Sequence, residues 1–193
     1  MSVSSVLRAL KSAAAGRAIV RVVRTVAADT IDGYVNKVSA DLCLLQPVRD
    51  RIDFDGFDIV RVADISAVLT SPKAGYYATA LRLKGLHPAS THPIQIGSVR
   101  EVLKSGCRHT PLLVIHREVV AANECEIGRP HTVTGGKYRL EWMNSLGQFE
   151  QDDEVYKVAD VTRIQFEGEY ERTLALVASA VTRTAHRQRK RRR

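Results

Sequence analysis

The 193-residue sequence is poor in cysteine, in aromatic residues and in long apolar runs. Its three cysteines, Cys43, Cys107 and Cys125, are odd in number, widely spaced and without a C-x-x-C pair. That excludes a disulfide framework and fits free thiols in a reducing compartment, for which a bacterial cytoplasm is the expectation. No stretch approaches the roughly 18 consecutive apolar residues of a membrane-spanning helix, so no membrane partner is expected. Aromatic residues make up only 6% of the chain, which weakens any reading as a base-stacking platform; Tyr34, Phe54 and Phe57 are the ones placed to cluster. There is no G-x-S-x-G, no phosphate-binding P-loop, no dinucleotide-binding glycine triplet and no H-E-x-x-H, so nothing recommends an enzyme and no cofactor is implied.

What is abundant is basic charge, and it sits at the ends. The formal net charge is +8. Residues 1–28 carry Arg8, Lys11, Arg17, Arg21 and Arg24 with no acid, and residues 183–193 carry seven basic side chains with no acid. The remaining residues, 29–182, hold 17 basic against 21 acidic side chains, a net of −4. The opening MSVSSVLRALKSAAA has the Ser, Arg and Ala content of a mitochondrial presequence. It also reads as a short amphipathic helix, with Val3, Val6, Leu7 and Leu10 on one face and Gly16 at its end, and that reading is the simpler one.

The strongest signal is internal repetition. VADISAV at 62–68 returns as VADVTRI at 158–164, an offset of 96. Upstream, Gly33 in IDGYVNKV has Gly128 in CEIGRPHTV as its counterpart. Downstream, Tyr77, Leu81 and Leu83 recur as Tyr170, Leu174 and Leu176. Three landmarks in one order argue for a unit of about 95 residues used twice.

The first unit reads as a helix over 2–15 and strands over 18–26, 33–38, 42–48, 57–62 and 65–69, followed by a helix over 74–84. The second reads as a helix over 97–105, strands over 112–120, 124–133, 138–142, 154–158 and 161–166, and a helix from Glu169 to about Thr184. Gly135-Gly136 marks a hairpin turn. The fold class expected is mainly β with flanking helices: two tandem five-stranded small barrels over 1–85 and 97–184, each preceded by a helix. Residues 86–96 are the linker, and 185–193 form a disordered basic tail.

Helix-then-five-strands in both units, together with Gly33-x-Val35-x-x-Val38, resembles the Sm-like fold, an SH3-like small barrel of RNA-binding proteins, and is similar to bacterial proteins with tandem barrels of this kind. Where that family carries an acid and an Asn in its first motif, this chain has Ser39 and Cys43. In place of its second motif stands Arg61-Val62-Ala63-Asp64, which keeps only the cation. The resemblance implies two barrels and RNA as ligand.

Three clusters are candidates for chemistry. Asp53-x-Asp55-Gly56 imitates the middle of a calcium loop, but Arg51 stands at its first ligand position and Val62 at its last, so a polar turn is the better reading. Cys107, His109, His116, Cys125 and His131 have zinc-binding atoms at spacings that match no finger or ribbon, and Cys107 with His109 lacks a third group to orient a base. The repeated Asp64 and Asp160 are expected to satisfy backbone N–H groups in tight turns.

The tail, Arg187, Arg189, Lys190, Arg191, Arg192 and Arg193, places six charges within seven residues and suits a phosphate backbone. Arg49, Arg51 and Arg61 are the expected body contacts to phosphate. The functional expectation is a non-enzymatic nucleic-acid-binding protein, with RNA or another polyanion as ligand and no metal site. The alternative is a protein-interaction module with an incidental basic tail. An oligomer is compatible with the sequence.

Overall fold

The structure, a computed structural model, describes the backbone of residues 1–151 and 154–191 and the side chains of residues 1–150 and 154–180. Helix α1 (Val3–Gly16) starts where the Ser2 hydroxyl accepts the Ser5 N–H at 3.3 Å, and it buries Val6, Leu10 and Ala13 along one face. Strands β1 (Ile19–Arg24), β2 (Thr30–Val38), β3 (Leu42–Pro47), β4 (Phe57–Arg61) and β5 (Ile65–Thr70) follow, then α2 (Ala74–Leu83). The second half repeats the plan with α3 (Val99–Ser105), β6 (Leu113–His116), β7 (Cys125–Thr134) and β8 (Lys137–Met143). Next come β9 (Phe149–Gln151), β10 (Tyr156–Lys157), β11 (Arg163–Phe166) and α4 (Glu169–Arg191).

The repeat is visible in the backbone. Val62–Asp64 and Val158–Asp160 each form a 3-10 turn between the last two strands of their half. Gly33 pairs with Pro47 and Gly128 with Trp142 on the neighbouring strand. In both places the backbones approach so closely that a Cβ would meet a carbonyl oxygen, of Gln46 at 2.4 Å or of Glu141 at 2.2 Å. Gly135 and Gly136 take φ of 56° and 76°, the left-handed pair that a two-residue hairpin turn requires.

The halves do not close into two five-stranded barrels. One antiparallel sheet of 11 strands runs β10-β8-β7-β6-β11-β4-β3-β2-β1-β5, with β9 beside β8. The order within the second half, β10-β8-β7-β6-β11, is that of the first, β4-β3-β2-β1-β5. The two are joined by β11 lying antiparallel to β4, with Arg163 opposite Val60 and Phe166 opposite Phe57.

The reason is that β3 and β4 are apolar on both faces. Cys43, Leu45 and Val60 pack under α1 with Val22, Ile31 and Ile65. Leu42, Leu44, Phe57 and Ile59 point the other way, into a core shared with Leu113, Ile115, Leu140, Ile164 and Phe166 of the second half. A strand buried on both sides cannot be the rim of an independent barrel; the second half covers its other face.

Other departures are local. The strand expected over 112–120 ends at His116, where the Val120 N–H bonds the Arg117 carbonyl in a turn. Strand β9 was not expected. Helix α4 continues past 184 to Arg191, so the backbone of 185–191 is helical where coil was expected. The linker is packed: Ile94 and Ile96 are buried, and the Asn36 amide donates to the Ala89 carbonyl at 3.0 Å. Among the described residues no helix is long and apolar enough to cross a membrane.

Candidate anion-binding cleft

Between the β3–β4 loop and α2 lies a cleft of about 480 Å³ that gathers Arg21, Arg49, Arg51 and Lys73 with Asp32, Asp50 and Tyr77. Four cations and two carboxylates line it, and three further carboxylates, Asp53, Asp55 and Glu169, pair with its arginines. Arg21 on β1 stands directly opposite Asp32 on β2, and its guanidinium donates to both carboxylate oxygens at 2.9 and 2.7 Å. That fork fixes the side chain and raises the guanidinium pKa.

Arg49 and Arg51 are held by the loop. Val48 and Phe54 form an isolated bridge across it, the Arg49 N–H bonds the Asp53 carbonyl at 3.0 Å, and Ile52 takes a left-handed φ of 56°. At the loop's end Gly56, at φ 62°, passes so near β11 that a Cβ would lie 2.2 Å from the Phe166 carbonyl oxygen. Arg49 is paired with Asp55. Arg51 is paired with Glu169 in the first turn of α4, and lies 3.8 Å from Asp53. The hydrogen bond to Glu169 raises the Arg51 pKa and lowers that of Glu169.

Lys73 precedes α2, with Nζ 3.3 Å from the Asp50 carboxylate and 5.7 Å from the centre of the Tyr77 ring. Its pKa is raised, chiefly by the hydrogen bond to Asp50. Each cation is thus held in place by carboxylate contacts, while Arg51 and Lys73 remain more than half exposed at the mouth. The arrangement can accept a phosphate or carboxylate group.

The structure brings Arg49 and Arg51 together and leaves Arg61 elsewhere. Arg61 Nε and Nη2 donate to Asp64 at 2.6 and 3.1 Å, and Nη1 donates to the Ala159 carbonyl at 3.1 Å, so it ties one repeated 3-10 turn to the other. Arg21 and Lys73, which complete the cleft, were not singled out from sequence, because 52 residues separate them. The side chains of Arg187, Arg189, Lys190 and Arg191, and the whole of Arg192 and Arg193, lie outside the described residues.

Asp53 and Asp55 serve arginines, as in a polar turn. The Asp64 carboxylate binds Arg61 rather than backbone N–H groups; it is the Asp64 carbonyl that accepts, from the Thr25 N–H at 2.8 Å. The candidate zinc ligands are dispersed: His116 Nε2 lies 2.7 Å from Gln165 Oε1, Cys125 is exposed, and burial pushes the Cys107 thiol up to about 11. Among the described residues no three His, Cys, Asp or Glu side chains gather as a metal site.

A second groove, of about 670 Å³, lies between β8, β9 and α4. Pro111, Leu112, Met143, Phe149 and Leu176 line it, and the Arg129 guanidinium stacks 4.3 Å above the Phe149 ring. No family model, curated protein or solved structure matches the chain. The functional reading therefore rests on the cleft itself.

Proposed function

We propose that the chain is a non-enzymatic nucleic-acid-binding protein, with RNA as ligand, built from two Sm-like units joined in one sheet. The observation that supports this best is the convergence of Arg21, Arg49, Arg51 and Lys73 on one cleft. Phosphate recognition calls for such preorganised guanidinium and ammonium groups. The two acid-free ends of the sequence add charge that attracts a polyanion without reading bases. The shared helix-and-strand order of the halves supports their reading as one unit used twice. Three free cysteines suit a reducing cytoplasm.

The test is a gel-shift titration of single-stranded RNA with the full chain, its Arg51→Gln/Lys73→Gln variant, and a chain lacking residues 185–193. Both positions are exposed, so the variant keeps its fold. Each phosphate contact removed lowers the slope of log K against log salt by about 0.7, so the cleft variant loses roughly 1.4 of the slope. An unchanged slope in that variant refutes the cleft as the phosphate site. A second reading, a protein-interaction module, is favoured by the apolar groove beside α4, where Leu176 is 69% exposed. Absence of any salt-dependent RNA shift by the full chain would favour it.

A further inference from the structure

We propose that Glu169 stands in for the ligand's phosphate: its carboxylate holds Arg51 until an anion enters the cleft, and then passes to Arg172 on its own helix. The inference rests on the cleft as the phosphate site and adds how that site is held and opened.

The four cations of the cleft differ in what each must give up to take a ligand. Asp32 and Asp55, the partners of Arg21 and Arg49, are 11% and 15% exposed in their side chains. Asp32 is bonded through both oxygens, and Asp55 also accepts the Glu169 N–H at 3.0 Å, so neither turns away without breaking a second contact. Asp50 and Glu169, the partners of Lys73 and Arg51, are 92% and 62% exposed. These two pairs are the exchangeable ones. A phosphate offers a guanidinium the same fork of oxygens as a carboxylate, so it competes with Glu169 for Arg51.

Glu169 differs from Asp50 in having a second partner within reach. Arg51 also lines a neighbouring cavity of about 330 Å³, together with Asp53, Phe54, Asp55, Glu169 and Arg172. Arg172 stands three residues after Glu169 on α4, the spacing at which side chains on a helix surface meet. It is exposed, and among the described residues its guanidinium makes no hydrogen bond or ion pair. Arg51 does most to hold the Glu169 carboxylate below its ordinary pKa, and Arg49 and Arg172 add to it.

Glu169 therefore has two alternative arginines, one in the β3–β4 loop and one on its own helix. The exchange moves a side chain and leaves the helix in place. The Asp55 cap on the Glu169 N–H does not involve the carboxylate, nor does the seat of Leu174 and Ala178 on Leu112 and Met143. Ligand and carboxylate compete for one guanidinium, so the worth of an exposed ion pair sets the size of the effect, about twofold to fivefold in affinity.

The experiment is calorimetric titration of the full chain with single-stranded RNA and, separately, with inorganic triphosphate, on a cycle of Glu169→Gln and Arg51→Gln. Glu169→Gln tightens binding about twofold to fivefold in the parent and leaves it unchanged where Arg51 is already replaced. Weaker binding in Glu169→Gln would make the carboxylate a positioning group for Arg51 and overturns the proposal. An equal gain in both backgrounds is bulk charge and overturns it too. Arg172→Gln weakens binding about 1.5-fold to twofold in the parent and not at all beside Glu169→Gln. No loss in the parent, or an equal loss in both, overturns the passage to Arg172. A parent that takes triphosphate but no RNA sinks the nucleic-acid reading alone, and one that takes neither overturns both.

Discussion

Replacing Glu118 by Gln should cost the protein about 3 kcal/mol of stability. Glu118 follows β6 and reaches into the first half, where both of its carboxylate oxygens accept from Arg24, whose side chain is 0% exposed. Its own backbone N–H is anchored on Thr162 Oγ1 at 3.1 Å, so the carboxylate cannot retreat to water without breaking that turn. Removing one member of a buried ion pair costs roughly 3–5 kcal/mol, because the remaining charge is stranded. The low end applies here, since Asp29 stays 3.3 Å from the same guanidinium and is one-third exposed. Glutamine is nearly isosteric but turns one acceptor into a donor facing other donors.

Equilibrium urea unfolding at neutral pH measures the difference, and an effect under about 1 kcal/mol would refute the argument. The pH dependence supplies a second check. Burial pushes the Glu118 pKa up, but Arg24 and Thr162 outweigh it and hold the group below its ordinary value. A depressed carboxylate contributes stability that is complete above its unfolded pKa of about 4.3 and lost as pH falls through the lower folded value. The gap between parent and Glu118→Gln must therefore narrow below pH of about 4. A gap that widened on acidification would show that Glu118 does not stabilise as an anion.

Gly33→Ala and Gly128→Ala should each destabilise by about 1–3 kcal/mol, because the added methyl meets a backbone carbonyl that cannot swing away. Thermal unfolding of both checks this, and a neutral result at either would show that the strands can part there. Thiol labelling of the native protein should modify Cys125 first and Cys43 last. Cys125 is exposed, whereas burial raises the Cys43 thiol far above its ordinary pKa. Mass spectrometry of timed samples reads the order, and early labelling of Cys43 would mean that the core beneath α1 opens readily. Leu176→Ser should leave RNA affinity within about twofold, because among the described residues lining its groove Arg129 is the only cation and is already stacked on Phe149; a larger loss would move the nucleic-acid contact to the second half.

Most strands and both interior turns were legible because period-two alternation, paired glycines and the VAD repeat are local signals. The merging of the halves was not, although one hint was present. LCLLQPV in β3 does not alternate; Leu42, Cys43, Leu44 and Leu45 are all buried, the mark of a strand covered on both faces. Which element covers the second face is a tertiary choice that no window of sequence contains. Strand β9 was missed because it is three residues long and forms only against Glu141, Trp142 and Met143 of β8. The cleft was legible in part. Arg49 and Arg51 stand in an evident loop, but Arg21 joins them through its register with Asp32, and Lys73 through the return of α2. Arg61 misled because a cation beside a turn looks the same in sequence whether it faces a ligand or, as here, a neighbouring carbonyl.

The two grooves occupy the same place in the two halves, which bears on what the duplication has kept. Val20 pairs with Gly33 and Leu113 with Gly128, so Ile19 and Leu112 are equivalent; Gly33 pairs with Pro47 and Gly128 with Trp142, so Val48 and Met143 are equivalent. Tyr77 and Leu81 of α2 seat on Ile19 and Val48, just as Leu174 and Ala178 of α4 seat on Leu112 and Met143. The apolar seat for a helix is thus built twice from the same backbone positions. What differs is the connection that follows it. In the first half a short loop turns back through Arg49 and Arg51 and lines the cleft with charge; in the second, the β8–β9 hairpin brings Phe149 and leaves the groove mainly apolar. Packing constraints hold the seat, whereas the loop is free to change because its side chains face outward. Among the described residues, the four cations gathered in one groove therefore belong to the first half, whereas the second groove is lined mainly by apolar side chains.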